Sequence, residues 1–407
     1  MIAQTKGPEQ WDVVVIGAGP GGSATAALLA QRGWRVLVLE KEQFPRFKIG
    51  ESLLPGCLPV LERLGVKPGP DVFVYKRGAR FLCETSGRAQ VFAFVDALPG
   101  AATSAWHVER ARFDTMLRDR AVALGAEVRH GETVVDAGVA GDHAWAETRE
   151  QRFRCRYLVD ASGQSRLLAR RANAVVPYEQ FGMCAVFTHF EDLAPEAYAE
   201  LGPDFDIRVV LRKDGWSWII PLPDRRLSVG TVSKHRVTPA DLDGGILGFP
   251  LVTRLVRGAR RLETRIVGNY SYKNTAPIGA RYTAVGDAGC FLDPVFSSGV
   301  TLALRGAGDI VDRLDPALRA GTEDDPRLLA DHQQAMERAT ATFAGLIDRF
   351  YNSHFAETVF LDGSTIGGEM RRGVMSVLAG DVWRTGNAFQ EMLLSARRRE
   401  QPGAAGA

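Results

Sequence analysis

The 407 residues predict a mixed α/β fold, α+β overall: a parallel-sheet unit, an inserted antiparallel sheet and a short helical C-terminal region. Three observations carry that expectation. Near the N-terminus an apolar run, a glycine turn, a small-residue helix and a second apolar run follow one another within about 30 residues. The middle of the chain holds short strand-like segments punctuated by turn residues. From about Val300 onward helical patterns dominate.

Taken in order, Asp12-Val13-Val14-Val15-Ile16 reads as a strand buried on both faces. Gly17-Ala18-Gly19-Pro20-Gly21-Gly22 forms the turn after it. Ser23 to Arg32 is a helix rich in Ala24, Ala26, Ala27 and Ala30, small enough to lie close on a sheet, and Gly33 ends it. Arg35 to Leu39 is the second buried strand, with Glu40 at its end. Gly17 permits a tight turn, Gly19 lets the backbone approach a pyrophosphate, and Gly22 lets helix and strand pack closely; Pro20 stands beside them. A pyrophosphate would then rest on the free N–H groups of the helix N-terminus. Glu40, about 20 residues beyond the glycines, can accept hydrogen bonds from ribose hydroxyls. The unit is therefore Rossmann-like. NAD and FAD both use such a turn, and it names no reaction.

Gly78 to Phe81 and Ala89 to Val95 read as strands around a Thr85-Ser86-Gly87 turn. Ile207 to Leu211, Trp216 to Pro221 and Arg226 to Ser233 continue this pattern across Lys213-Asp214-Gly215 and Pro223-Asp224 turns. They form a second sheet, a platform for substrate, inserted into the first unit. The chain returns to that unit at Tyr157 to Asp160 and at Ala284 to Asp287. Helical patterns cover Arg327 to Tyr351 and Gly373 to Ala396. The expected division is 1–75, 105–175 and 276–310 for nucleotide binding, 76–104 and 176–275 for substrate, and 311–407 for the helical end.

Bulk composition excludes several classes. Hydrophobic residues make up 45% and charged residues 24%, the balance of an ordinary globular enzyme. A net charge of +2 creates no field for nucleic acid or an acidic membrane, so neither is an expected partner. The five cysteines are scattered, without Cys-x-x-Cys spacing or a cluster with histidine, so no metal site or disulfide framework is expected. The N-terminus lacks a secretion pattern, and no run of 18 apolar residues appears, so a cytoplasmic location is expected.

Three further segments resemble the p-hydroxybenzoate-hydroxylase-like flavoproteins. Arg110-Ala111-Arg112-Phe113-Asp114 is similar to their Arg-x-x-Phe-Asp, Asp160-Ala161-Ser162-Gly163 lies where they have Asp-Gly, and Ala284-Val285-Gly286-Asp287-Ala288 resembles their Gly-Asp-Ala. The resemblance implies that the cofactor is FAD, with Arg110 on the flavin side and Asp287 at the ribityl chain.

Four segments sharpen the resemblance to flavin-dependent halogenases of the phenol or pyrrole type: Phe44 to Pro55, Lys76 to Phe81, Trp216-Ser217-Trp218-Ile219-Ile220-Pro221, and Asp293 to Gly299. The hexapeptide matches their Trp-x-Trp-x-Ile-Pro without a mismatch. The likeness spans roughly residues 10 to 310. It implies that FADH2, O2 and chloride or bromide give hypohalous acid, which Lys76 relays to an electron-rich ring. It implies flavin contacts at Lys41, Arg46, Ile49, Ser52, Val134, Gly163, Pro294, Gly299 and Val300, and halide contacts at Ser297, Ser298 and Gly299. Trp216 and Trp218 would form a wall between substrate and flavin, and Phe296, Ile220 and Pro221 would line the substrate pocket. Read by residue type alone, Lys76 is an exposed strand lysine, the two tryptophans are a core stripe, and Ser297 is a helix cap.

Two departures refine the expectation. Tryptophan halogenases carry a glutamate where this chain has Phe296, which points away from the unactivated benzo ring of indole and towards phenols or pyrroles. Asp160 to Gly163 is not the plain Asp-Gly that helps single-component hydroxylases bind NADPH, so FADH2 would come from a separate flavin reductase. The short region after residue 310 suits an open mouth and a substrate either free or tethered to a carrier protein. An aromatic hydroxylase or epoxidase, and a flavin-dependent double-bond reductase, are the rival readings on the same scaffold.

Overall fold

Val13, Val14 and Val15 have no exposed surface, because the strand Gln10–Ile16 lies at the middle of a sheet with a layer on each face. Val13 and Val15 pack with Ala24, Ala27 and Leu28 of the helix Pro20–Gln31. Val14 and Ile16 face Ala137, Ala144 and Ala146 of an antiparallel hairpin, Asp136–Ala140 and His143–Glu147. The computed structural model describes residues 10–69, 72–178, 183–268, 271–352, 355–362 and 367–399.

Across the first sheet the strands run Ile278–Gly279, Tyr282–Ala284, Arg152–Asp160, Gln10–Ile16, Val36–Glu40 and Glu127–His130. All but Ile278–Gly279 are parallel. Ile16 stands beside Leu39 on one side and Asp160 on the other, and Asp160 stands beside Ala284. Four carboxyl-terminal strand ends therefore open on one crevice, where ligands bind in open α/β sheets.

The second large sheet orders Arg260–Arg261, Cys184–Glu191, Arg226–Ser233, Gly215–Leu222, Ile207–Arg212, Gly78–Cys83 and Ala89–Ala93. It is antiparallel except where Ile207–Arg212 runs parallel to Gly78–Cys83. Trp216, Trp218 and Ile220 project from one face into the core shared with the first unit. Ile219 projects from the other, under Leu242 of the helix Pro239–Asp243 and Val252 of the helix Pro250–Leu255. Gly230 lies opposite Trp218, where an added Cβ would fall 2.3 Å from the indole.

The strand expected over Lys76 to Phe81 is two strands. Val74–Lys76 pairs with Ala105–His107 in a separate ribbon, with Lys76 opposite Ala105, and the large sheet begins at Gly78. The C-terminal region contains Gly299–Ala320, Ala330–Asn352, Phe355–Phe360, Gly368–Leu378 and Ala388–Arg399. The continuous helix expected from Gly373 to Ala396 is broken. Gly380 and Gly386 take φ of +79° and +78°, and Asn387 Oδ1 accepts the N–H groups of Phe389 and Gln390 to start a new helix. Among the described residues no helix is long and apolar enough to cross a membrane.

Candidate active site

The glycine turn has little freedom. Gly17 has φ +99°, and a Cβ there would lie 2.5 Å from Ala161 O. A Cβ on Gly22 would lie 2.0 Å from Gly17 O. Gly19 differs: only Arg46 Nη2 comes near, 3.8 Å from the place of a Cβ, so the space above the turn is open beneath a guanidinium. Gly19 caps the helix that Pro20 opens, with no side chain on its first N–H groups. Glu40 accepts from Ala18 N–H at 2.7 Å and Glu42 N–H at 2.9 Å, which holds its carboxylate beside the turn. Arg46 is anchored by Asp114 at 3.0 Å and Glu42 at 3.2 Å. Open backbone donors, a cation above them and a carboxylate at the next strand end fit a dinucleotide pyrophosphate and ribose.

The other expected flavin residues surround this crevice in different ways. Arg110 is buried and grips Asp114 with two nitrogens, at 2.8 and 3.0 Å, while Nη1 donates to Ile49 O at 2.6 Å. Asp287 sits on the turn Gly286–Ala288, with Gly286 at φ +63° against Ala303. Burial lifts the Asp287 carboxyl to about 6, against the pull of Arg110 and Lys48. Asp160 accepts Ser162 N–H at 3.0 Å and Leu168 N–H at 2.9 Å, so both oxygens brace its own loop. Gly163 starts the next turn at φ +61°, and Lys41 Nζ reaches Ser165 in that turn at 3.5 Å. Val134 is half-buried against the Val14 and Leu39 face.

Asp293 ties down the turn Pro294–Phe296 by accepting Val295 N–H at 3.0 Å, and Tyr351 O–H reaches its other oxygen at 3.1 Å. Ser297 follows at φ +56°. Ser298, not Ser297, occupies the cap position of the 22-residue helix Gly299–Ala320, and no side chain caps it. Gly299 faces open space, and Val300 is half-buried behind it. The end of a long helix, with its positive partial charge, is left open to an anion.

Lys76 is 1% exposed, which corrects the plain reading of an exposed strand lysine. Its Nζ donates to Ser52 Oγ at 2.8 Å and Leu53 O at 2.9 Å, and lies 5.2 Å from the centre of the Phe94 ring. Burial lowers its pKa to about 7, with Asp206 opposing the shift. Ser52, expected at the flavin, is thus a partner of the lysine. The amine borders a small cavity with Leu54, Phe81, Val295, Phe296 and Ser297. Lys76 and the 295–297 turn meet there, although Val295 lies 219 positions further along the chain. The cavity volume is about 10 Å³, room for a single water centre. Aromatic rings fill the rest: Phe360 stacks on Phe81 at 4.4 Å, and Phe296 touches Phe350 and Phe360 at 5.7 Å each.

Trp216 and Trp218 share a face and lie 5.7 Å apart, with Trp218 Nε1 donating to Ser228 Oγ at 3.0 Å. Trp216 Nε1 is buried without a hydrogen-bond partner among the described residues. Neither indole borders the Lys76 cavity. Of the three residues expected to line the substrate pocket, Phe296 borders that cavity. Ile220 packs in the same core as the tryptophans, and Pro221 stands opposite Leu227 at the strand end. Two buried groups near the lysine, His107 and Asp206, were missed by sequence reading. Nothing in their spacing announces them, because Lys76, His107 and Asp206 sit on three separate segments. No group of three or more potential metal ligands occurs among the described residues.

The geometry agrees with comparison to known proteins. The tryptophan halogenase family model matches residues 12–96 and 89–364. A 1H-pyrrole-2-carbonyl-(peptidyl-carrier protein) chlorinase from Pseudomonas fluorescens is 29% identical, over 92% of this chain and 90% of its own. A 1H-pyrrole-2-carbonyl-(peptidyl-carrier protein) brominase from Pseudoalteromonas luteoviolacea is 31% identical, over 76% and 78%. The solved flavin-dependent brominase Bmp2 superposes with a TM-score of 0.81 at 26% identity, covering 97% of this chain and all of that one. A flavoprotein/dehydrogenase from Cytophaga hutchinsonii gives 0.83 at 27% identity, with the same coverage. Family model, relatives and fold agree with one another: the chain belongs to the flavin-dependent halogenases, oxidoreductases that use FADH2 and halide.

Proposed function

We propose that this halogenase acts on an electron-rich phenol or pyrrole and that Lys76 relays the oxidant. The single observation that carries the reading is the position of Lys76. It is a buried amine, held by neutral acceptors, in an apolar cavity bordered by Ser297 at the open helix end. Phe296 supports the substrate class. It puts a ring, and no carboxylate, on the cavity wall, so a ring that needs help from a base is poorly served. The pyrrole-carrier relatives support a substrate delivered on a carrier protein.

In this reading Gly17, Gly19, Pro20 and Gly22 hold the FAD pyrophosphate with Arg46, and Glu40 binds the ribose. Arg110, Asp160, Gly163, Gly286 and Asp287 shape the rest of the cofactor crevice, with Lys41, Ile49 and Val134 at its rim. Pro294, Ser297, Ser298, Gly299 and Val300 present the helix end to flavin and halide. FADH2, when bound there, would supply the two electrons that activate O2, the oxidant that turns halide into hypohalous acid. The Lys76 amine meets this oxidant in a small, largely apolar cavity. As ammonium it donates a hydrogen bond to the oxidant's oxygen; as free amine its lone pair takes the halogen, the oxygen–halogen bond breaks, and the oxygen leaves as water with one amine hydrogen. Burial keeps both forms accessible near neutral pH. Trp216 and Trp218 then act as a packed wall that keeps the ring away from the flavin. A separate flavin reductase supplies FADH2.

The test is a product assay by mass spectrometry with purified protein, FAD, an NADH-driven flavin reductase, O2 and chloride or bromide. Phenols and pyrroles are offered free and carrier-loaded. A halogenated product that disappears in Lys76→Ala is the expected result. A hydroxylated product, or equal turnover without halide, overturns the reading.

A further inference from the structure

Lys76 is surrounded by groups from several segments, and most of them are neutral. Ser52 and Leu53 offer a hydroxyl and a carbonyl. The buried Cys57 thiol is pushed up to about 12 by desolvation, so it carries no charge. His107 lies on the strand paired with that of Lys76. Its Nε2 is 2.8 Å from Phe205 O, a pure acceptor, so Nε2 bears the hydrogen and Nδ1 a lone pair with no partner. Burial, with Lys76 and Arg208 nearby, holds His107 well below the usual histidine range and therefore neutral.

Asp206 is different. It is 5% exposed and lies in the turn that leads into Ile207–Arg212, beside Phe205. Its Oδ1 accepts the N–H of Arg77, the residue next to Lys76, at 3.2 Å. Two backbone tethers thus fix this segment behind the lysine: Phe205 through His107, and Asp206 through Arg77. Arg208 Nη2 is occupied by Leu201 O at 3.1 Å, and its Nη1 reaches only the main-chain oxygen of Asp206, at 3.4 Å. Asp204 pairs with Arg77 at the surface. On balance the Asp206 carboxyl lies above the usual carboxylate range: desolvation raises it most, Asp204 adds a like charge, and Lys76 and the backbone N–H groups pull it down only in part.

We propose that Asp206 is a positioning residue for Lys76: its buried carboxylate supplies the negative charge that lets the lysine hold a proton inside an otherwise apolar cavity. Without that charge the amine would stay neutral across the working pH range, and its two hydrogens would both be engaged by Ser52 and Leu53, leaving none for the oxidant. The proposal rests on Lys76 being the relay, and its test separates the two.

The protein is labelled with 13C at lysine Cε and aspartate Cγ, and both side chains are titrated by NMR. Lys76→Met and Asp206→Asn identify the signals. In Asp206→Asn the Lys76 midpoint should fall by roughly one pH unit or more. The exposed control Asp204→Asn should move it far less. Lys76→Met tests the same coupling from the other side, and it does not depend on the Asp206 variant folding: the Asp206 midpoint should rise once the neighbouring cation is gone. The pH–rate limb of halogenation should move with the Lys76 midpoint, and Asp206→Glu should restore it. Unmoved midpoints in both directions overturn the proposal. Coupled midpoints together with full halogenation by Lys76→Ala overturn the relay, and with it the catalytic meaning of Asp206, while leaving the charge pair itself in place.

Discussion

The glycine turn and the Lys76 cavity solve opposite problems. At the turn, backbone does the work: Gly17 and Gly22 are required because main-chain oxygens lie where a side chain would begin. At the cavity, side chains do the work: Phe81, Phe94 and Phe296 surround one amine and make its proton costly to hold. The first site offers shape and main-chain partial charges, with the Glu40 carboxylate and the Arg46 guanidinium beside them. In the proposed reading, the second would act through an amine whose pKa burial lowers to about 7. Binding and chemistry can therefore be damaged separately.

The largest separation should come from Lys76→Ala. Halogenation is expected to fall by about 10²–10⁴-fold, the range for a positioned proton-handling group, while FAD binding by fluorescence titration stays unchanged. Loss of FAD binding would show that the two regions are one. Phe360→Ala should cost about 3–5 kcal/mol in denaturant unfolding, since Phe360 has no exposed surface and stacks on Phe81. If the variant folds, the emptied wall should admit bulkier rings in the product assay. Gly22→Ala should cost about 1–3 kcal/mol and weaken FAD binding, because its methyl must displace Gly17 O. A Gly22→Ala protein that binds FAD normally would mean that the turn relaxes freely.

The smallest and sharpest test is the pH dependence of stability. The folded-state pKa of Lys76, about 7, lies below its ordinary value of 10.5. Between those values the unfolded chain holds a proton that the folded chain has released, so this residue makes stability rise with pH across that window. Below pH 7 the buried charge weighs fully against the fold. Lys76→Met should remove this slope and stabilise most at pH 6, as read from Tm at pH 6, 7.5 and 9. A uniform gain at all three would place the amine in a better solvated environment.

The sequence made the binding region more legible than the reactive one. A glycine turn is written in consecutive residues, and the alternation Trp216, Trp218, Ile220 was enough to put three side chains on one face. The strands Ile207–Arg212, Gly215–Leu222 and Arg226–Ser233 fell within a residue of where turn residues had placed them. Lys76 was legible through family resemblance alone, since a lysine between Tyr75 and Arg77 carries no local sign of burial. Asp206 and His107 were illegible because their meaning depends on a ribbon and a turn that meet only in three dimensions. The break at Gly380 and Gly386 was written in the sequence and was read through; two glycines around one Asn387 cap outweigh the helical periodicity on either side.

One short stretch of chain touches the glycine turn, Arg110 and the lysine alike. Arg46 overhangs the glycine turn, Ile49 O receives Arg110, and Ser52 receives Lys76. Six peptide units from Arg46 to Ser52 can extend over no more than about 20–22 Å. This segment is a tape measure laid between cofactor cradle and lysine. Changing one of its side chains alters a contact, whereas deleting a single residue shortens the scale itself, so its length should be less negotiable than its composition.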